Sequence, residues 1–148
     1  LNEVGLSPLH LECEITEGTL MESPENALQM MKRLRERGIH LALDDFGTGY
    51  ASLEYLQKFP VDFVKIDRAF IKNMLQNKAD QGIVKAIIAI ANSLDLKVIA
   101  EGVELADEYA LLEKMGCHEV QGFYISKPLM AEEATAFITQ YNAQNSTH

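Results

Sequence analysis

Five segments of this chain offer residues whose types could do chemistry together: Glu14, the adjacent pair Asp44 and Asp45, Lys65, Glu101 and Gln121. Each closes a short apolar run, which puts each at or near the end of a candidate strand. Carboxylates crowded into one site do not all ionise unless a cation balances them, and hard divalent ions do so through oxygen ligands. For a small phosphorylated ligand, such a set implies Mg2+ or Mn2+ between carboxylate and phosphate, with room for two metals. A lysine among them can stabilise phosphate charge or hold a water while relieving part of the repulsion. A surface charge or a core salt bridge accounts for any one of these residues; their recurrence at successive strand ends argues for a site.

Composition narrows the alternatives. With 148 residues, 47% hydrophobic and 24% charged, the chain fits one globular domain with a sizeable core. A net charge of -9 and a pI near 4.8 exclude a long basic footprint for duplex DNA or RNA or for anionic lipid. No apolar run reaches the roughly 18 residues of a membrane span, so the chain reads as soluble with no membrane contact of its own. Cys13 and Cys117 lack CxxC spacing and read as buried thiols, while His10, His40, His118 and His148 are too scattered for a zinc site. The chemistry has to rest on carboxylates.

The elements that must position these groups alternate along the chain. Strands are expected at Leu9 to Ile15, Ile39 to Leu43, Phe63 to Ile66, Lys97 to Ala100 and Val120 to Ile125. Between them lie helices: one capped by Ser23, opened by Pro24, with Ala27, Met31 and Leu34 on one face and Gly38 as its stop; a short one from Ser52 to Leu56; one over Ala79 to Leu94 with Ile83, Ile87, Ile90 and Leu94 on a stripe; one over Leu105 to Met115 ended by Gly116; and a last over Ala131 to Tyr141. Strands separated by whole helices must be parallel, which makes the class α/β. Period-two alternation turns Leu11, Cys13, Ile15, Leu41, Leu43, Val64 and Ile66 toward the helices and leaves Glu12, Glu14, Ala42, Asp44 and Lys65 on the other face. Groups drawn from many strand ends favour a TIM-barrel-like arrangement over an open sheet with one switch point.

The stretch Asp45-Phe46-Gly47-Thr48-Gly49-Tyr50 follows the second strand and reads as a functional loop, although it lacks the spacing of a dinucleotide fingerprint or a P-loop.

Taken in order, Glu14-Ile15-Thr16-Glu17, Asp44-Asp45-Phe46-Gly47-Thr48-Gly49-Tyr50, Val64-Lys65-Ile66-Asp67, Ala100-Glu101-Gly102-Val103-Glu104, Gln121-Gly122-Phe123 and Ser126-Lys127-Pro128 resemble the successive motifs of bacterial EAL domains. The resemblance implies a modified TIM barrel that binds cyclic di-GMP across its C-terminal strand ends and hydrolyses it to linear pGpG. It implies that Glu14 and Asp44 are metal ligands and that Asp45 helps hold a second metal. Lys65 and Glu101 would act around the attacking water, with Glu101 as general base and Lys65 as the competing assignment, and Gln121 would support the metal-water network. Glu17 would steady the loop after Asp45. Gly47, Thr48 and Glu104 would contact substrate, and Pro128 would line the guanine end.

The Glu-Ala-Leu segment that names the family is absent, as are the arginine after it and the asparagine of a following strand. Residues 1–148 therefore read as the C-terminal part of a single barrel domain, with about five of the eight βα units of a complete barrel. Open edges would then favour a homodimer, a higher oligomer or exchange of elements. The phosphodiesterase activity is assigned to the parent domain in the bacterial cytoplasm, free or as part of a membrane-bound protein, and the isolated chain is expected to be inactive. A receptor that binds cyclic di-GMP without cleaving it is the alternative, and an unrelated metal-dependent barrel enzyme with Lys65 as base is a third reading.

Overall fold

The computed structural model describes residues 3, 5–47 and 53–145. Its elements alternate as expected: β1 (Glu12–Thr16), α1 (Glu17–Glu22), α2 (Pro24–Glu36), β2 (His40–Phe46), α3 (Leu53–Lys58), β3 (Phe63–Ile66), α4 (Arg68–Asn73), α5 (Lys78–Ser93), β4 (Lys97–Glu101), α6 (Ala106–Met115), β5 (Glu119–Gln121) and α7 (Ala131–Asn145). The strands form one five-stranded parallel sheet in sequential order. Sequential order with helical crossovers is the arrangement of a βα barrel, and in this chain the barrel is incomplete, with β1 and β5 as edges.

One face of the sheet carries the core. Leu41, Leu43, Val64, Ile66, Val98 and Ala100 are buried against Leu20, Met31, Ile71 and the α5 side chains Val84, Ile87, Ile88 and Ala91. Burying each of the larger of these contributes roughly 1.5–3 kcal/mol, which makes the α5 face a main anchor of the sheet. The other face holds Glu14, Ala42, Lys65, Ile99 and Glu101, as the alternation predicts.

Several details depart from the sequence reading. The first strand starts at Glu12 rather than Leu9, because Pro8–His10 forms a 3-10 turn capped by the Ser7 hydroxyl, which accepts from the Leu9 N–H. The last strand ends at Gln121, because the Gly122 carbonyl accepts from the Ile125 and Ser126 N–H groups and turns the chain. Ser23 stands at the N-cap of α2 without a side-chain cap bond; its carbonyl accepts from Ala27, and Pro24 opens the helix. The α5 core stripe is Val84, Ile87, Ile88 and Ala91, whereas Ile83 is exposed, so the stripe is rotated by about one residue. Cys13 and Cys117 are free and only half-buried, with burial pushing the Cys117 thiol up.

Two short helices escaped the periodic pattern. Both are started by the residue that follows or ends a strand: the Thr16 hydroxyl accepts from the Thr19 N–H at α1, and Asp67 Oδ1 accepts from the Ala69 N–H at 2.8 Å at α4. Each converts a strand end directly into a helix, with no residue between β1 and α1 and only Asp67 between β3 and α4.

Candidate functional site

Parallel register brings the polar strand ends together. Glu14 lies opposite Ala42, Lys65 opposite Ile99, and Glu101 opposite Gln121. Lys65 stands in the middle strand and its side chain is 3% exposed. Its Nζ donates to Glu14 Oε1 and lies 2.6 Å from Glu101 Oε1 and 3.7 Å from Asp44 Oδ1. One ammonium thus joins carboxylates from three other strands. Burial pulls the Lys65 ammonium down, but hydrogen bonds to Glu101 and Glu14 and the charges of Glu101 and Asp44 outweigh it and push its pKa up to about 12.

Asp45 reaches the site by another route. Between Leu43, opposite Val64, and Phe46, opposite Ile66, β2 carries one more residue than β3, a bulge. Asp45 takes the left-handed conformation there, with φ 56, and its N–H donates to Asp44 Oδ1 at 3.0 Å. Aspartate tolerates this region better than most residues. The bulge keeps Asp44 on the inner face, lets Phe46 enter the core, and frees Asp45 to face Asp67. Burial, Asp44 and Asp67 together hold the Asp45 carboxyl above the usual carboxylate range. Asp67 is the partner that the sequence reading left without a role, although it stands in the Val64-Lys65-Ile66-Asp67 motif that would have disclosed it.

Beside the Lys65 cluster lies a cavity of about 200 Å³ lined by Arg68, Glu101, Gly102, Glu104, Gln121, Gly122 and Phe123. Its walls depend on two glycines. A Cβ on Gly102, whose φ is +69, would meet Arg68 Cγ at 2.6 Å, and one on Gly122 would meet the Val103 carbonyl oxygen at 2.2 Å. The close approach at Gly122 lets Val103 donate to the Gln121 carbonyl and accept from the Tyr124 N–H, which ties the exits of β4 and β5 together. Glu108, also unforeseen, is buried; its Oε2 accepts from the Glu104 and Leu105 N–H groups at 2.8 and 3.0 Å and fixes the segment after Glu101. A larger cavity, of about 680 Å³, runs along the β5 edge past Tyr109, Cys117, Tyr124 and Tyr141 and contains none of the Lys65 cluster.

The remaining candidates are placed as follows. Glu17 is 4% exposed in the first turn of α1, and the loop that it was expected to steady lies largely outside the described residues, as does Thr48. Gly47 is exposed with φ +96, where an added Cβ would approach Ile87 Cδ1 at 3.2 Å. Glu104 and Gln121 are exposed on the cavity rim, and Pro128 is exposed in the segment before α7.

The donor chemistry suits a hard divalent cation. Glu14, Asp44 and Asp45 supply oxygen only, and the facing Asp45 and Asp67 carboxyls carry a repulsion that a cation would relieve. Among the described residues, no group of three or more His, Cys, Asp or Glu side chains could by itself hold a metal ion. Glu14 and Asp44 are turned instead to Lys65, so these residues fit part of a ligand set. No helix of the described residues is long and apolar enough to cross a membrane.

Known proteins share both sequence and fold with this chain. Cyclic di-GMP phosphodiesterase NbdA of Pseudomonas aeruginosa is 43% identical over 141 residues, which is 95% of this chain and 18% of NbdA. The solved PaMucR phosphodiesterase in complex with c-di-GMP superposes with a TM-score of 0.87 at 40% identity, over 90% of this chain and 54% of that one. BlrP1 of Klebsiella pneumoniae, solved with manganese and c-di-GMP, gives a TM-score of 0.80 at 34% identity, over 86% of this chain and 33% of that one. The chain therefore spans about a fifth of the curated relative's length. The EAL domain model matches residues 1–128, and that match, with the carboxylates gathered on Lys65 at parallel strand ends, makes this chain a member of the EAL domain family.

Proposed function

We propose that the domain to which these residues belong hydrolyses cyclic di-GMP to linear pGpG with Mg2+ or Mn2+, in two-metal fashion. The observation that carries this reading is the convergence of Glu14, Asp44 and Glu101 on the Lys65 ammonium. The relatives named as cyclic di-GMP phosphodiesterases supply the reaction and substrate class.

In this reading Glu14 and Asp44 hold one metal and Asp45 helps hold the second, and Asp67 is positioned to share in the latter. Bound divalent ions would neutralise the phosphodiester oxygens and acidify the attacking water. Lys65, kept protonated by its partners, is unsuited to act as a base and instead holds the Glu101 carboxylate in place and offsets developing negative charge. Glu101 then takes the proton from the water as the 3′-oxygen leaves in line, and Gln121, paired with Glu101 across β4 and β5, orients that water. Glu17 would steady the loop after Asp45, and Gly47, Thr48, Glu104 and Pro128 would contact the substrate.

These 148 residues by themselves are proposed to be inactive, because the carboxylates in hand fit only part of a metal site. Association of copies would cover the β1 and β5 edges, and a monomer by light scattering would count against it. The setting is the bacterial cytoplasm, where the domain works alone or within a membrane-bound parent.

The test is to incubate the full-length protein with cyclic di-GMP and Mg2+ or Mn2+. Linear pGpG supports the phosphodiesterase, tight binding without turnover supports the receptor alternative, and the absence of both product and binding removes both readings.

A further inference from the structure

Lys65 directs its ammonium to Glu14, Glu101 and Asp44, so only part of its charge is left for an anionic ligand. The cavity beside it is lined by Glu101 of that cluster and by a further carboxylate, Glu104, which repels phosphate. Among the described residues, one cation lines that cavity, Arg68, the first residue of α4. It enters none of the ion pairs of the Lys65 cluster. Its stem lies flat on Gly102: a Cβ there would come within 2.6 to 2.9 Å of Arg68 Cγ, Cβ and Cδ. Gly102 holds φ +69, a conformation that side chains disfavour, and the absent Cβ makes the space that the arginine stem fills.

Among the described residues, this is an arginine seated by packing rather than by a carboxylate. A guanidinium offers five donors in a planar fork that matches phosphate oxygens, and a stem fixed by packing loses less freedom on binding. We propose that Arg68 is an anion-binding residue of this site, taking a phosphate oxygen of the bound dinucleotide on the Gly102 side of the cavity. It would give the acidic cavity a positive charge to set against a phosphodiester. The proposal rests on the reading of the function given above and adds a residue that the motif pattern did not assign.

The experiment uses the full-length protein and measures cyclic di-GMP binding by calorimetry in Ca2+, the ion with which BlrP1 is also solved with this ligand. Arg68→Met keeps an unbranched stem on Gly102 and removes the charge. It should weaken binding by about tenfold or more, as the loss of a charge-assisted pair predicts, with Arg68→Lys recovering part of the loss. In Mn2+ the larger loss should fall on KM. Arg68→Met with wild-type affinity would overturn the proposal, and Arg68→Gln is read in the same way if the methionine variant does not fold. Wild-type protein that binds no cyclic di-GMP would instead overturn the functional reading, and the proposal with it; normal wild-type binding with an indifferent Arg68 variant sinks the proposal alone.

Discussion

Lys65 Nζ lies 2.6 Å from Glu101 Oε1, although Lys65 pairs in register with Ile99, two residues before that glutamate. The lysine reaches forward along the strand direction to the next inner-face position of β4, and Glu14 and Asp44 meet it from the other side. The cluster is a balance: remove the ammonium and three carboxylates face one another.

Lys65→Met should therefore destabilise the metal-free protein by about 2–3 kcal/mol, below the ~3–5 kcal/mol of a fully buried broken pair because its carboxylate partners are partly exposed. Chemical denaturation of the two proteins without divalent ions measures this. Equal midpoints would show that the cluster contributes no net stability.

The same cluster sets a pH dependence. Lys65 is raised from 10.5 to about 12 in the folded protein, so its contribution is complete below pH 10.5 and is lost as pH rises through about 12. Other lysines and tyrosines titrate in this range, so the readout is the difference between wild type and Lys65→Met. That difference should shrink across the window in thermal melts of metal-free protein; a constant difference would reject the coupling.

Glu101→Gln in the full-length protein should abolish hydrolysis and spare cyclic di-GMP binding, since the amide cannot accept the proton from water but keeps the side-chain volume. Ordinary turnover by this variant, followed as linear product, would remove Glu101 from the role of base.

Two glycines should respond in opposite directions. Gly122→Ala places a Cβ 2.2 Å from the Val103 carbonyl oxygen, and the backbone there must shift. A cost of about 1–3 kcal/mol follows from overpacking, and it should spread to the cavity beside Glu101 because Gly122 lines it. Gly82 lies within α5 with nothing near an added Cβ, so Gly82→Ala should stabilise by about 0.5–1 kcal/mol. Urea denaturation of both variants decides the signs.

Strand and helix alternation, the inner-face position of Glu14, Asp44 and Lys65, and the family were legible in the amino-acid order. Period-two alternation and motif sequence are local properties that survive without knowledge of contacts. Glu108 shows where that stops. It reads as one more surface acid of a helix, yet it is buried because two backbone N–H groups turn toward it. The rotation of the α5 stripe is similar: Ile83 and Val84 are both apolar, and only the angle at which the helix meets the sheet chooses between them.

The sequence by itself determined which residues could act and that they stand at the ends of parallel strands. Tertiary structure decided how they are arranged. The β2 bulge turns Asp45 away from the Asp44 direction and against Asp67, a pairing that depends on the register between β2 and β3. The protonation of Lys65 depends on distances to carboxylates on three other strands, and electrostatic energy follows distance and burial, neither of which is written in the order of residues.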